Sequence, residues 1–142
     1  MSAPEVTLEV EWEGGKRYRG RRPDGPALLL DGAREAAPGP VDAVLVALAA
    51  CSAIDVVEIL EKRRTPPTSL RIRVDASRAD GTPRRLTSVR LTYRVATASE
   101  AHHVERAVAL SLEKYCSVAA SLAPDIPITA AVEVEQPAEA RP

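Results

Sequence analysis

Gly39-Pro40-Val41-Asp42-Ala43-Val44-Leu45-Val46-Ala47-Leu48-Ala49-Ala50-Cys51-Ser52-Ala53-Ile54-Asp55-Val56-Val57-Glu58-Ile59-Leu60 is the stretch on which the fold turns. It reads as one long helix. Proline at the first helical position gives up only an N–H that has no intrahelical partner, and its fixed φ already suits a helix. The first half is apolar on nearly every side, and such a helix must be wrapped by protein or lipid. Asp42, Asp55 and Glu58 break the run. The uninterrupted part from Ala43 to Ile54 falls short of the roughly 20 residues a membrane span needs. The segment is therefore expected to be a core helix with a buried or half-buried thiol, Cys51, about halfway along.

The surrounding chain has 142 residues, a length that suits a single domain over 1–142. A net charge of −1 and a pI near 6.1 provide no general attraction to nucleic acid or to an anionic membrane, so neither is expected as a partner. Phe is absent, which leaves Val, Leu, Ile and Ala to build the core and makes base stacking on an aromatic platform implausible. No apolar stretch follows Met1, and the expected compartment is the cytoplasm. In that reducing setting the two cysteines are inert core thiols or a redox or catalytic pair rather than a staple.

Outward from the helix, strands alternate with turn signals. Val6, Leu8, Val10 and Trp12 alternate with acidic and hydroxyl residues, the period of a strand with one wet face. Gly14-Gly15 and Pro23-Asp24-Gly25 are hairpin turns, so three strands (5–12, 16–20, 27–30) form a meander. Lys62-Arg63-Arg64 suits the helix's C-terminal dipole, and Pro66-Pro67 stops the helix. Two further strands, 70–76 and 86–95, flank the turn residues Asp80-Gly81-Thr82-Pro83 and should pair as a hairpin. A second helix runs from about Ala101 to Leu122, with Val104, Val108, Leu112, Tyr115, Ala119 and Leu122 as its apolar stripe and Cys116 near the stripe's buried edge. A last strand covers 126–134, and the tail over 136–142 is expected to be loose. The order is βββ-α-ββ-α-β, an α+β fold.

The sequence contains no phosphate-binding glycine loop, no dinucleotide fingerprint, no Cys-x-x-Cys and no His-Glu-x-x-His. His102 and His103 are adjacent in a helix, so their side chains should diverge by about 100° and face water. No metal site and no cofactor are assigned. The thiols remain: Cys51 and Cys116 lie on the apolar sides of two long helices and could meet if those helices pack together. From spacing alone, two inert core thiols are the commoner outcome.

Two phrases go further. Cys51-Ser52-Ala53-Ile54-Asp55-Val56-Val57, preceded by Gly39-Pro40-x-Asp42, and Glu113-Lys114-Tyr115-Cys116-Ser117-Val118 resemble the two cysteine motifs of the osmotically inducible protein C and organic hydroperoxide resistance (OsmC/Ohr) family, in the subgroup that carries these phrases. The resemblance runs from the first strand to the last. It implies an OsmC-like intertwined homodimer with two long central helices, and thiol-dependent reduction of organic hydroperoxides. It further implies Cys51 as the peroxidatic and Cys116 as the resolving cysteine, with the disulfide reduced by an external dithiol such as a lipoyl protein or a thioredoxin-like partner. In the hydroperoxide-reductase branch a Glu follows the helix-opening Pro and pairs with an Arg of the N-terminal hairpin; here Val41 follows, and the acid comes one place later as Asp42. Arg17, Arg19, Arg21 and Arg22 all lie in the region of that Arg, and Arg17 and Arg19 are taken as its candidates.

Electrostatics sets a requirement. Asp55 at i+4 from Cys51 and Glu113 at i−3 from Cys116 would both disfavour a thiolate, so a cation is expected to come from the Arg-rich hairpin. Asp55 would be costly inside so apolar a helix without a partner, expected to be an Arg or a backbone N–H. The alternative to catalysis is a redox-sensing or small-molecule-binding module of the same fold, taking an acyl or thiol ligand. A purely structural dimer would instead keep the two sulfurs apart.

Overall fold

The structure, a computed structural model, describes residues 3–137. The chain divides between Leu45 and Val46 into two compact units.

The first unit is an antiparallel meander of β1 (Glu9–Trp12), β2 (Arg17–Arg21) and β3 (Ala27–Asp31). Glu9 pairs with Arg21 and Trp12 with Tyr18, while Arg17 pairs with Asp31 and Arg21 with Ala27. Gly14 and Gly15 make the first turn with φ of 102° and 54°, values that a Cβ would oppose. The alternation in the first strand is real, yet its apolar members are uncovered in the chain: Val10 and Trp12 are each 67% exposed. Asp31 closes the meander as a buried carboxylate. It accepts the N–H groups of Ala33, Glu35 and Ala36, which hold its pKa below the ordinary carboxylate value, and Arg17 adds to the effect. These bonds shape the loop that delivers the chain to α1 (Pro40–Lys62).

Helix α1 starts at the expected Pro40. Gly39 caps it, and Asp42 in the first turn reaches back to accept the Gly39 N–H at 2.8 Å, half of a capping box. The helix ends with Arg64 at φ 62°, where the N–H of Arg64 bonds to the Glu61 carbonyl and that of Thr65 to the Leu60 carbonyl, each at 2.9 Å. This is a Schellman termination with an arginine in the position glycine normally takes.

The second unit holds the rest of α1 and a sheet ordered β4 (Ser69–Arg78), β5 (Leu86–Ala96), β6 (Ile128–Glu135). Strands β4 and β5 form the expected antiparallel hairpin, with Ile72 opposite Tyr93, and β6 runs parallel to β5. Val89, Leu91, Tyr93 and Val95 of β5 are buried. They form a core with Leu48, Val56 and Leu60 of α1 and Val104, Ala107 and Val108 of α2 (Ala101–Leu110). Large aliphatic side chains of about 1.5–3 kcal/mol each on burial supply most of its cohesion.

Two expectations are corrected here. The second long helix is not continuous. It passes from α2 into a π-turn over Ser111–Tyr115, straightens at Cys116 (φ −73°, ψ 106°) and resumes as the short α3 (Ser117–Ser121). The extra residue in the turn shifts the register, so Tyr115 leaves the apolar stripe and is 53% exposed. Helix α1 is also less enclosed than a core helix. Its length and composition would suit a membrane span, and Val46 and Ile54 are 59% and 60% exposed. Against a lipid surround stand its fully buried Leu48, Ser52, Val56 and Leu60 and the polar bonds described below. Of the expected loose tail, 138–142 lies outside the described residues.

Candidate active site

Cys51 is half-buried in α1, and Ser52 beside it is fully buried. The Ser52 hydroxyl donates to the Ala49 carbonyl at 2.9 Å and lies 2.6 Å from the Tyr93 hydroxyl. A serine has one proton to give, so with that proton on Ala49 the tyrosine is the donor between them. Burial raises the Tyr93 pKa above its ordinary value, only partly offset by Ser52.

Asp55, one turn beyond Cys51, accepts the Ser111 hydroxyl at 2.6 Å. The expected Arg or backbone N–H is thus replaced by a buried serine from the π-turn. That same hydroxyl lies 3.3 Å from the Ser52 carbonyl, and the Ser111 carbonyl accepts the Cys116 N–H at 2.7 Å.

Cys116 caps α3 and is 3% exposed. Its Sγ accepts the Ala119 N–H at 3.4 Å, a weak version of the bond a Ser or Asp cap makes. Its thiol neighbours that of Cys51 closely enough for the two to interact electrostatically, and both thiols are free. Burial pushes the Cys116 thiol up from its ordinary pKa. The Ala119 amide opposes this, while the neighbouring Cys51 thiol adds to it. Two thiols from separate helices are therefore neighbours, one partly open to solvent and one buried, with its pKa raised.

Of the remaining candidates, Asp42, Arg17 and Arg19 belong to the first unit and Glu113 to the second. Arg34 grips Asp42 through two bonds of 2.7 and 2.9 Å. Arg17 is 3.8 Å from Asp31, and Arg19 is 3.1 Å from Glu13. Arg34, which sequence reasoning missed, is an ion-pair partner of Asp42; it sits in the loop before the helix rather than in the hairpin. Glu113 lies exposed in the π-turn, so its expected helical i−3 relation to Cys116 does not hold. It lines a groove of about 560 Å³ with Val108, Leu112, Ile128 and Val132.

His102 and His103 do not diverge as expected. Their ring centroids are 3.9 Å apart, and with Glu100 their ligand atoms fall within 4.8 Å of one another. Burial and the nearby Arg63 lower the His103 pKa, and that positive surround also works against a bound cation.

The chain and its fold have known counterparts. The family model for OsmC-like proteins matches residues 32–131. Protein YhfA of Escherichia coli K12 is 38% identical over 91% of this chain and 98% of its own. A hypothetical protein from Aquifex aeolicus VF5 superimposes with a TM-score of 0.79 at 28% identity, covering 94% of this chain and 100% of that one. The organic hydroperoxide resistance protein OhrB of Bacillus subtilis shares the fold with a TM-score of 0.61 at 14% identity, over 90% and 98% of the two chains. By the family match and by its identity to YhfA across nearly the whole chain, this protein belongs to the OsmC-like family.

Proposed function

We propose that this protein is a thiol-dependent peroxidase that reduces organic hydroperoxides. The observation that carries the reading is the pairing of a half-buried Cys51 with a buried neighbouring thiol, Cys116, that interacts with it electrostatically. The thiol that meets substrate first must be accessible, and the one that resolves it is best kept protonated and out of solvent until needed. OhrB, named for resistance to organic hydroperoxides, suggests the substrate class.

In the first step the Cys51 thiolate attacks the distal peroxide oxygen. The O–O bond breaks, an alkoxide leaves and takes a proton to become the alcohol, and Cys51 becomes a sulfenic acid. Cys116 sulfur then attacks the Cys51 sulfur, the S–O bond breaks, and water leaves with the Cys116 proton. An external dithiol, a lipoyl or thioredoxin-like protein in the cytoplasm, returns the disulfide to two thiols. This chain's own sulfurs supply all of the peroxide chemistry without a cofactor. The working unit is a homodimer, favoured by the apolar side chains left uncovered on β1 and α1.

The test is consumption of cumene hydroperoxide with a dithiol reductant. Cys51→Ser abolishes it, and Cys116→Ser leaves a single turnover. Equal activity of wild type and Cys51→Ser overturns the reading. A wild type that forms the disulfide with oxidant but consumes no hydroperoxide is instead a redox sensor.

A further inference from the structure

We infer that Ser111 is a positioning residue that sets the encounter of the two thiols, a role that rests on the Cys51–Cys116 reading above. Its hydroxyl holds the turn of α1 that directly follows Cys51, donating to Asp55 at 2.6 Å and lying 3.3 Å from the Ser52 carbonyl. Its own carbonyl holds the Cys116 amide at 2.7 Å. One fully buried residue thus joins the turn that carries the first sulfur to the backbone that carries the second.

The helical geometry explains why a π-turn is used. In an α-helix, five residues at about 100° each would leave Cys116 about 140° round from Ser111, turned away from the helix that Ser111 faces. Closing the turn from Ser111 to Cys116 through an i→i+5 bond widens it and returns Cys116 to the Ser111 side. Ser111 is therefore both the anchor on α1 and the acceptor that closes the turn. Its hydrogen bonds go to Asp55, the Ser52 carbonyl and the Cys116 amide, so its role is one of positioning. It acts in the second step, when the S–S bond forms as the S–O bond of the Cys51 sulfenic acid breaks and water departs.

The clamp is read from the effective concentration of the Cys51–Cys116 pair in redox equilibrium with glutathione, which requires no peroxide turnover. Ser111→Ala is expected to lower it roughly 10- to 100-fold, the scale on which small misplacements of reacting groups act. Initial alkylation of Cys51 by iodoacetamide in a Cys116→Ser background should stay within about twofold on the same substitution. Ser111→Thr, which keeps the hydroxyl, restores the pair. Asp55→Ala removes the same bond from a half-buried site and gives a similar loss should Ser111→Ala fold poorly. Val104→Ala destabilises the same unit from its core and leaves the effective concentration unchanged.

An unchanged effective concentration in both Ser111→Ala and Asp55→Ala overturns the inference, as does an equal loss in Val104→Ala. Failure of wild type to consume hydroperoxide, with the glutathione equilibrium still falling in Ser111→Ala, removes the peroxidase reading and leaves the clamp standing.

Discussion

The Tyr93 hydroxyl donates to the Ser52 hydroxyl across 2.6 Å inside the second unit, and neither side chain is exposed. The two substitutions that break this bond are not equivalent. In Tyr93→Phe the serine keeps its own donation to Ala49 and loses one acceptor contact, costing about 1 kcal/mol. In Ser52→Ala a buried tyrosine hydroxyl is left without its acceptor, and the cost rises to about 1–3 kcal/mol. Urea unfolding should therefore rank wild type above Tyr93→Phe and Tyr93→Phe above Ser52→Ala. The reverse order would show that the serine, not the tyrosine, is the donor.

Cys116 should leave a signature in the pH dependence of stability, and exposure should set the two cysteines apart in alkylation. Cys116 is raised by burial, so its folded pKa exceeds the unfolded value of about 8.5. Holding this thiol neutral adds stability that is complete below the unfolded pKa and is lost as pH rises through the folded one. The melting temperature of wild type should fall more steeply between about pH 8.5 and 10 than that of Cys116→Ala, since Tyr93 titrates in both. Mass spectrometry after limited alkylation at pH 7 should find Cys51 modified at least about tenfold faster than Cys116.

Helix α1 was legible in sequence because its signals are local. Gly39-Pro40 starts it, Pro66-Pro67 follows it, and the apolar run between has no competitor. The strands followed from alternation and turn residues, with ends shifted by a few positions. The break at Cys116 was not legible. From Ala101 to Leu122 the chain has no Gly or Pro and keeps a helical period, so nothing local signals a wider turn. The π-turn is stabilised by Ser111 meeting Asp55, a contact 56 positions apart in sequence. Arg34 was equally hidden, because a loop residue eight positions from Asp42 has no periodic relation to it. That the two thiols could be neighbours followed from packing of the two helices and their pairing in one site from motif resemblance; spacing alone favoured inert cysteines.

Arg64 offers a stabilising change. Its φ of 62° is the left-handed conformation that the Schellman turn requires, and an arginine Cβ is strained there. Arg64→Gly removes that strain but frees the unfolded chain, for a net gain of about 0.5–1 kcal/mol in denaturant unfolding. A loss of stability would mean that the arginine side chain contributes more than its backbone costs.

The uncovered apolar surface makes the last prediction, on assembly. Val46, Ala50 and Ile54 recur at every fourth residue of α1 and so share one face, with Val46 and Ile54 59% and 60% exposed. Trp12, the single tryptophan, is 67% exposed on β1. Surface of this kind is where a second copy of the chain would add burial, at about 1.5–3 kcal/mol for each large aliphatic side chain covered. In a two-fold dimer each substitution counts twice, so Ile54→Glu should weaken association at least about 100-fold, since each 1.4 kcal/mol is a factor of ten. Sedimentation velocity should give a dimer for wild type at micromolar concentration and a monomer for Ile54→Glu. If β1 is part of the interface, Trp12 emission shifts to longer wavelength as the variant dissociates. A wild type that sediments as a monomer with solvent-exposed Trp12 emission would leave the α1 face to some other cover and remove the dimer from the proposed working unit.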